Sequence, residues 1–347
     1  MKRRTFLAGM SGAVGAGAVS RAADVIPPVK ADAIERRGFG KTGRNLPVVG
    51  FPCLALKNGD QKTATEELHR ALDRGINYFD VAPAYGKEGE CEIKAGEGLQ
   101  GVPRESYFLA CKTQKDDAKE GRIELERSLQ RLKTDHFDLY QLHCLQTEDE
   151  VKQALGPGGV LEMILKAKEE GKVRHIGFSA HTTEAALAAL DGYAFDSCMF
   201  PISFVEWFQT GFGREVMARC AEKKVPVISI KPVSRGKWPK GVAKTYDWWY
   251  RPLEDPDEYR LAMNWVLSLP GIVSTLPTSY FDVFKRTVEA AHDNRQMRPE
   301  ESERLKEIAM SCVPIFKASP ADEKKAAAFL TLPESHRYPS RLSGTGI

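Results

Sequence analysis

Four residue types that suit carbonyl reduction fall at the ends of predicted strands. Asp80 and Tyr85 lie in FDVAPAYG, Lys112 lies in FLACKT, and His143 lies in DLYQLH. A phenol holds its proton at neutral pH, because its ordinary pKa is about 10, but a nearby ammonium favours the phenolate. Lys112 is the candidate ammonium, Asp80 would hold it in place, and His143 would orient the substrate oxygen. Each residue alone is an ordinary rim residue, whereas the four together make a carbonyl reductase the leading hypothesis.

The elements that must position these residues alternate between short β-rich runs and segments with helical periodicity. This alternation is typical of parallel strands joined by crossover helices. Glycines at 75, 171 and 271 stand just before three of the strands, where a helix-ending or turn glycine is expected. The eight predicted strands are Val49–Leu56, Tyr78–Ala82, Tyr107–Lys112, Phe137–His143, Val173–Ser179, Ser197–Phe204, Val225–Pro232 and Ile272–Pro277.

Eight strand-helix units predict a closed (β/α)8 barrel, which gathers reactive groups at the carboxyl ends of its strands. All four candidate residues lie at or just past such an end. An open doubly wound sheet is the alternative, but it would normally carry a G-x-G-x-x-G turn after its first strand, and the sequence has none there. The segment RRGFGKTGRNLP, residues 36–47, predicts a β-hairpin that caps the barrel floor.

Composition is that of a globular protein, with 42% hydrophobic and 28% charged residues and a formal net charge of +3. Basic residues are interleaved with acidic ones, which argues against a nucleic-acid partner. The seven cysteines include no C-x-x-C pair, so we expect mostly buried free thiols and no metal centre of that type.

The first 23 residues resemble a twin-arginine export signal. Arg3 and Arg4 begin the string RRTFL, a Gly/Ala-rich apolar run follows, and small residues suited to cleavage precede position 24. The apolar run is too short and too rich in glycine for a stable membrane span. We therefore expect recognition by export machinery and a periplasmic or other extracytoplasmic location. The expected organisation is a signal peptide (1–23), a linker (24–35), the barrel (36–310) and a C-terminal tail (311–347).

Four segments, RRGFGKTG, ALDRGINYFDVAPAYG, SLQRLKTDHFDLYQLH and GKVRHIGFS, occur in the order found in the aldo-keto reductase family. The chain resembles that family over roughly residues 36–294. The resemblance implies an eightfold barrel, a cofactor that is NADP(H) or NAD(H), and reduction of an aldehyde or ketone to an alcohol. It also implies that Tyr85 is the proton donor, that Lys112 and Asp80 tune it, and that His143 orients the carbonyl.

The second half of the chain departs from the family pattern around the cofactor. Ser179 matches the serine that touches the nicotinamide carboxamide, but Ala180 replaces an asparagine, Met199 a glutamine and Ile230 a stacking aromatic residue. Lys231 is a candidate replacement contact, and pairing with an acidic neighbour is the alternative. His181 has the same ambiguity and is expected to be a polar rim residue. For the ribose phosphate, Lys285 or Arg286 is the candidate, although either also suits a solvated helix face.

The loop from Arg235 to Pro256 is too long and too aromatic for a simple connector. Its aromatic residues suit a sugar or a flat aromatic carbonyl compound, and its basic residues Lys237, Lys240 and Arg251 suit an acidic substrate. A covering lid or a partner surface is the alternative. The aromatic residues are Trp238, Tyr246, Trp248, Trp249 and Tyr250.

Two other classes of function stay open from the sequence. The weakened cofactor contacts suit a barrel that acts as a binding or sensing subunit with little or no catalysis. Asp80, His143 and His181 could also hold a metal ion that promotes hydrolysis or isomerisation. Substrate identity and the choice between the two dinucleotides are not encoded in any motif.

Overall fold

The computed structural model describes residues 34–317 and shows an eight-stranded parallel barrel. The strands pair in chain order from β3 to β10, and the ring closes where Val49 bridges Thr275. The predicted (β/α)8 barrel is therefore confirmed. The strands are β3 (Phe51–Pro52), β4 (Tyr78–Asp80), β5 (Phe108–Thr113), β6 (Phe137–Leu145), β7 (Val173–Ala180), β8 (Ser197–Pro201), β9 (Val227–Ile230) and β10 (Ile272–Leu276).

Helices surround the barrel and cover its outer apolar face. None of the helices within residues 34–317 combines the length and apolar character needed to cross a bilayer. The helices are α1 (Gln61–Asp73), α2 (Glu90–Gly98), α3 (Ala118–Arg131), α4 (Glu148–Leu155), α5 (Val160–Glu169), α6 (Thr183–Gly192), α7 (Phe204–Gln209), α8 (Arg214–Lys223), α9 (Pro256–Ser268), α10 (Phe281–His292) and α11 (Pro299–Met310).

The predicted N-terminal hairpin is present and closes the barrel floor. Strands β1 (Arg36–Gly38) and β2 (Asn45–Pro47) pair antiparallel. Phe39, in the turn between them, is fully buried and packs edge-on against Phe108 of β5. Because this end is filled by apolar side chains, the opposite end, where the strands finish, is the open end.

The first predicted strand is much shorter than expected. Instead of continuing from Val49 to Leu56, the backbone leaves the strand after Pro52 and forms a 3-10 helix over Cys53–Asn58. Proline lacks a backbone N–H and so cannot continue the ladder as a donor. The apolar residues that suggested a longer strand are buried in the helical turn instead.

The loop after β9 and residues 311–317 lie together at the barrel mouth. Gly236 pairs with Val313 in an isolated parallel bridge. Phe316 stacks on Phe212 with ring centroids 5.0 Å apart and on His181 at 5.7 Å. The predicted signal peptide (1–23), most of the linker and the tail beyond residue 317 lie outside the described residues.

Candidate active site

A buried ion pair joins the ends of β4 and β5. The Lys112 Nζ lies 2.5 Å from Asp80 Oδ1, and it also donates to the carbonyl oxygen of Val81 at 3.1 Å. Both side chains are almost completely withdrawn from solvent. Burial raises the pKa of Asp80, while the Lys112 charge and hydrogen bond oppose that rise. The predicted Asp80–Lys112 pair is therefore present in the structure, and it fixes the ammonium at the base of the open end.

Tyr85 stands beside this pair in the loop that follows β4. Its hydroxyl lies 3.5 Å from Asp80 Oδ1, and Lys112 Nζ is 5.2 Å from the centre of its ring. The loop returns sharply, because Tyr85 N donates to Ala82 O and Gly86 adopts a φ of +75°. The structure thus brings together the three residues that the sequence predicted as a proton-donating group.

The pKa of Tyr85 differs from the prediction. Burial and the Asp80 carboxylate raise it well above its ordinary value, so the phenol is not acidified in this state. The prediction considered the effect of the ammonium on the phenol, whereas the carboxylate that holds this ammonium lies within 3.5 Å of the hydroxyl. Tyr85 therefore stays protonated and available as a donor. Lys112 acts only during proton transfer, when it stabilises the negative charge that develops on the phenol oxygen.

His143 completes the predicted group from β6. Its ring meets that of Tyr85 edge-on, with centroids 5.7 Å apart. Burial and the positive charges of Lys112 and Lys231 lower the pKa of His143 to about 3. The imidazole is therefore neutral at physiological pH and has one N–H to offer to a carbonyl oxygen.

A cavity of about 190 Å³ lies directly above these residues. Tyr85, His143 and Lys231 are among its polar lining residues, while Met199 and Ile230 contribute apolar surface. Trp248, Trp249 and Tyr250, from the predicted aromatic loop, also line it. The loop is therefore part of the cavity wall, and the cavity combines a proton donor and an imidazole with flat aromatic faces.

The residues predicted to contact the cofactor do not all have side chains free to do so. Ser179, at the end of β7, lines the cavity, but its hydroxyl accepts a hydrogen bond from the backbone N–H of Cys144 at 2.8 Å. Met199 and Ile230 also line the cavity, at the positions where the resemblance implied a glutamine amide and a stacking aromatic ring, respectively. Arg286, the candidate for the ribose phosphate, instead pairs with Asp282 at 2.6 Å.

Lys231 and His181 form a linked pair with Cys144. The Lys231 Nζ lies 3.0 Å from His181 Nε2, and Cys144 Sγ lies 2.8 Å from His181 Nδ1. His181 is therefore a half-buried polar residue of the cavity wall, with both ring nitrogens in contact with neighbouring side chains. Lys231 likewise makes no ion pair with an acidic residue among the described residues.

Sequence reasoning missed the link to Cys144. Its only hint was the position of Cys144, next to His143 at a strand end. Both Cys144 and Lys231 have positive φ angles, 65° and 61°, which non-glycine residues seldom adopt. A sequence pattern carries no signal for such backbone conformations unless glycine or asparagine occupies the position.

The metal alternative has no geometric support. Asp80 is engaged by Lys112, and His181 is engaged on both ring nitrogens by Cys144 and Lys231. Among residues 34–317, no three side chains of the His, Cys, Asp or Glu type come close enough to share a metal ion.

Comparison with known proteins shows the family of this chain. Residues 54–298 match the Aldo/keto reductase family, and the chain belongs to that family. It is 27% identical over 218 residues to probable aldo-keto reductase 1 of Glycine max, covering 57% of this chain and 59% of that protein. It is also 29% identical over 220 residues to L-galactose dehydrogenase of Arabidopsis thaliana, covering 58% of this chain and 66% of that protein. The matched segments thus span less than two thirds of the length of either relative.

Solved structures show the same barrel. An aldo-keto reductase from Bacillus halodurans in its holo form superposes with a TM-score of 0.63 at 24% identity, covering 81% of this chain and 98% of that one. An aldo-keto reductase from Klebsiella pneumoniae in complex with NADPH gives 0.62 at 18% identity, covering 82% and 98%. At these identities the likeness establishes the fold, so the chemistry must be argued from the residues of this chain.

Proposed function

We propose that this protein reduces an aldehyde or ketone to an alcohol, with a reduced nicotinamide dinucleotide as cofactor. The observation that carries the proposal is the meeting of Tyr85 with the Lys112–Asp80 ion pair, 3.5 Å from hydroxyl to carboxylate, beneath a cavity that His143 also borders. Each of these groups has a defined task in carbonyl reduction, and Asp80, Tyr85 and His143 all line this cavity.

Tyr85 is the proposed proton donor. Its raised pKa keeps it protonated before reaction. As negative charge grows on the carbonyl oxygen, the phenol gives up its proton, and the Lys112 ammonium stabilises the phenolate that forms. Asp80 holds Lys112 in position, and because the two charges offset each other, the site avoids an isolated buried cation. His143 donates its N–H to the same oxygen and fixes the direction of the carbonyl.

The residues present fit a nicotinamide cofactor in part. Aromatic and apolar surface from Trp249, Met199 and Ile230 suits a flat ring, and Ser179 is the proposed polar contact. When bound, the cofactor supplies the hydride. Because the family's amide contacts are replaced, we expect weaker dinucleotide binding than a full set of hydrogen bonds, each contributing about 1 kcal/mol, would give.

The test is a panel of aldehydes and ketones incubated with the protein and either reduced dinucleotide, with cofactor oxidation followed spectroscopically. Direct titration of NADPH and NADH decides between the two cofactors. Cofactor oxidation that requires both the carbonyl compound and Tyr85 supports the proposal. A dinucleotide that binds without oxidation across the whole panel would instead favour a binding or sensing subunit, the second candidate, which the substitutions at Ala180, Met199 and Ile230 motivate.

We also propose that the protein is exported through the twin-arginine route and acts outside the cytoplasm. The sequence RRTFL near the amino terminus supports this proposal. Replacing Arg3 and Arg4 by lysine should keep the protein in the cytoplasmic fraction with its first 23 residues attached. Export of the doubly substituted chain at the normal level would refute it.

A further inference from the structure

Lys231 is a buried cation that pairs with no carboxylate in the part of the chain that the structure describes. Its residue surface is only 9% exposed, and within residues 34–317 the one hydrogen-bond partner of its ammonium is His181. Glu206 acts on it from beyond ion-pair distance, and the oxygens of Glu206 already accept hydrogen bonds from Ser203 Oγ and from the backbone N–H of Ile315. Lys112 makes a useful contrast, because Asp80 neutralises it at 2.5 Å.

His181 cannot neutralise this charge. The ammonium of Lys231 donates to Nε2, so the single proton of a neutral imidazole lies on Nδ1 and points to Cys144 Sγ. Burial and Lys231 itself keep the imidazole neutral, with a pKa of about 2. Burial also raises the pKa of the Cys144 thiol above its ordinary range, which keeps it uncharged at neutral pH. The neighbours therefore orient Lys231, but within residues 34–317 no carboxylate pairs directly with its charge.

The side chain of Lys231 is fixed at the wall of the catalytic cavity. Its backbone has a φ of +61°, its N–H donates to Leu276 O at 3.3 Å, and its carbonyl accepts from Ser234 N at 3.1 Å. The Nζ lies 5.8 Å from the ring centre of Trp249 and 5.4 Å from that of Phe316, so aromatic faces surround it. A non-glycine residue held in this strained conformation is typical of a functional position.

The other basic residues considered from the sequence do not share this position. Lys237 and Lys240 are exposed on the loop, and Arg251 pairs with Glu254 at 3.2 Å. None of these three lines the cavity that Tyr85 and His143 border, whereas Lys231 does.

We propose that the substrate is a small carbonyl compound that also carries a carboxylate, and that Lys231 binds this carboxylate while Tyr85 and His143 face the carbonyl. The inference rests on the proposed carbonyl reduction and adds its substrate class. A cavity of about 190 Å³ is below the roughly 300–1,000 Å³ of sites for drug-sized ligands, and the nicotinamide ring would share it, which favours a small substrate. Anionic oxygen could also come from the cofactor, and the experiment separates the two sources.

The experiment compares two pairs of substrates that differ only in charge. One pair is 4-formylbenzoate and its methyl ester, and the other is 4-oxobutanoate and its methyl ester. The value of kcat/KM is measured for each in the wild type, in Lys231→Met and in Lys240→Met, a matched control on the exposed loop. Dinucleotide affinity is measured for all three proteins by direct titration, and binding of benzoate is followed through tryptophan fluorescence.

We expect the wild type and Lys240→Met to prefer at least one acid over its ester by about 10- to 100-fold, the range expected for a hydrogen bond to a charged group. Lys231→Met should lose this preference and keep its activity on the esters and its dinucleotide affinity. No preference in the wild type, or a preference that survives in Lys231→Met, overturns the inference. Weaker dinucleotide binding in Lys231→Met, with equal loss on acids and esters, assigns the anion to the cofactor and also overturns it.

Failure of the proposed function would look different. If neither acid nor ester is reduced but benzoate binds to the wild type and not to Lys231→Met, the carboxylate site stands and the reductase proposal fails. If the esters are reduced without a preference for acids, the reductase stands and the substrate class is wrong. Absence of both turnover and benzoate binding would refute both.

The pH dependence of benzoate binding gives a second readout. Burial lowers the pKa of Lys231 to about 8, and the groups that face it are His181, Cys144, His143 and Glu206. The two imidazoles stay neutral above about pH 5, and burial raises the pKa of the Cys144 thiol above its ordinary value, so the loss of affinity as pH rises through 8 should follow Lys231. An affinity that stays constant from about pH 7 to 10 would contradict the role of the ammonium.

Discussion

Replacing Lys231 by methionine should stabilise the protein at neutral pH. Burial lowers the pKa of Lys231 from 10.5 to about 8. A difference of about 2.5 pKa units, at about 1.36 kcal/mol each, means that folding with a charged Lys231 costs about 3 kcal/mol. Methionine has similar length and carries no charge. It leaves His181 without its Nε2 partner, which costs about 1 kcal/mol, so the expected net gain is about 2 kcal/mol at pH 7.

The sign of the pH dependence follows from the lowered pKa. Below pH 8 the lysine is charged in both the folded and the unfolded chain, so the full penalty is present. Between about pH 8 and 10.5 the folded protein releases the proton first, and the penalty shrinks to nothing. The stability advantage of Lys231→Met should therefore be largest at pH 7 and should disappear near pH 10.

Urea unfolding of wild type, Lys231→Met and Lys240→Met, followed by tryptophan fluorescence at pH 7 and pH 10, measures the effect. Lys240 is exposed, and its replacement should change the free energy of unfolding by no more than about 0.5 kcal/mol at either pH. A Lys231→Met protein that is less stable than wild type at both pH values would refute the claim that burying this ammonium destabilises the fold. An equal gain at both values would refute the link to its charge.

Three further predictions concern the same end of the barrel and one helix contact. Asp80→Asn or Lys112→Met alone should lower the free energy of unfolding in urea by about 3–5 kcal/mol, because each leaves a buried charge unpaired. The double variant should lose less than the sum of the two single losses, and additive losses would contradict the pairing. The pH profile of kcat/KM should show no break near 6.5 from His143, since its pKa is about 3; a break there that disappears in His143→Asn would contradict a neutral imidazole. Gly96→Ala should lower Tm, because its Cβ would lie 2.2 Å from the carbonyl oxygen of Arg131. Gly38→Ala is the control and should leave Tm unchanged, because the nearest atom to its Cβ would be 3.7 Å away. Equal Tm values for the two variants would show that α2 and α3 can separate freely.

The barrel could be predicted because its pattern is repeated eight times. Each strand is a short apolar run followed by a helix with one apolar face, and parallel strands gather their ends at one edge. That rule was enough to place Asp80, Tyr85, Lys112 and His143 together. The predicted end of the first strand was wrong, because apolar spacing alone does not distinguish a buried strand from a buried 3-10 turn after Pro52.

The electrostatics of the site were harder to predict. Whether Asp80 or Lys112 dominates the pKa of Tyr85 depends on distances of a few ångströms that sequence spacing does not contain. The contact of His181 with Cys144 and Lys231 depends on two non-glycine residues with positive φ, for which the sequence offers no signal. Such conformations arise from the surrounding tertiary structure and not from local preference.

The most direct test of carbonyl reduction is Tyr85→Phe, which removes one hydroxyl and keeps the ring that packs against His143. Single-turnover reduction of an accepted aldehyde and titration with the reduced dinucleotide should be measured on the same protein. We predict a loss in rate of at least about 100-fold, the lower range for a positioned general acid, with unchanged dinucleotide affinity. A Tyr85→Phe protein that reduces the aldehyde at the wild-type rate would contradict the central claim that this phenol delivers the proton.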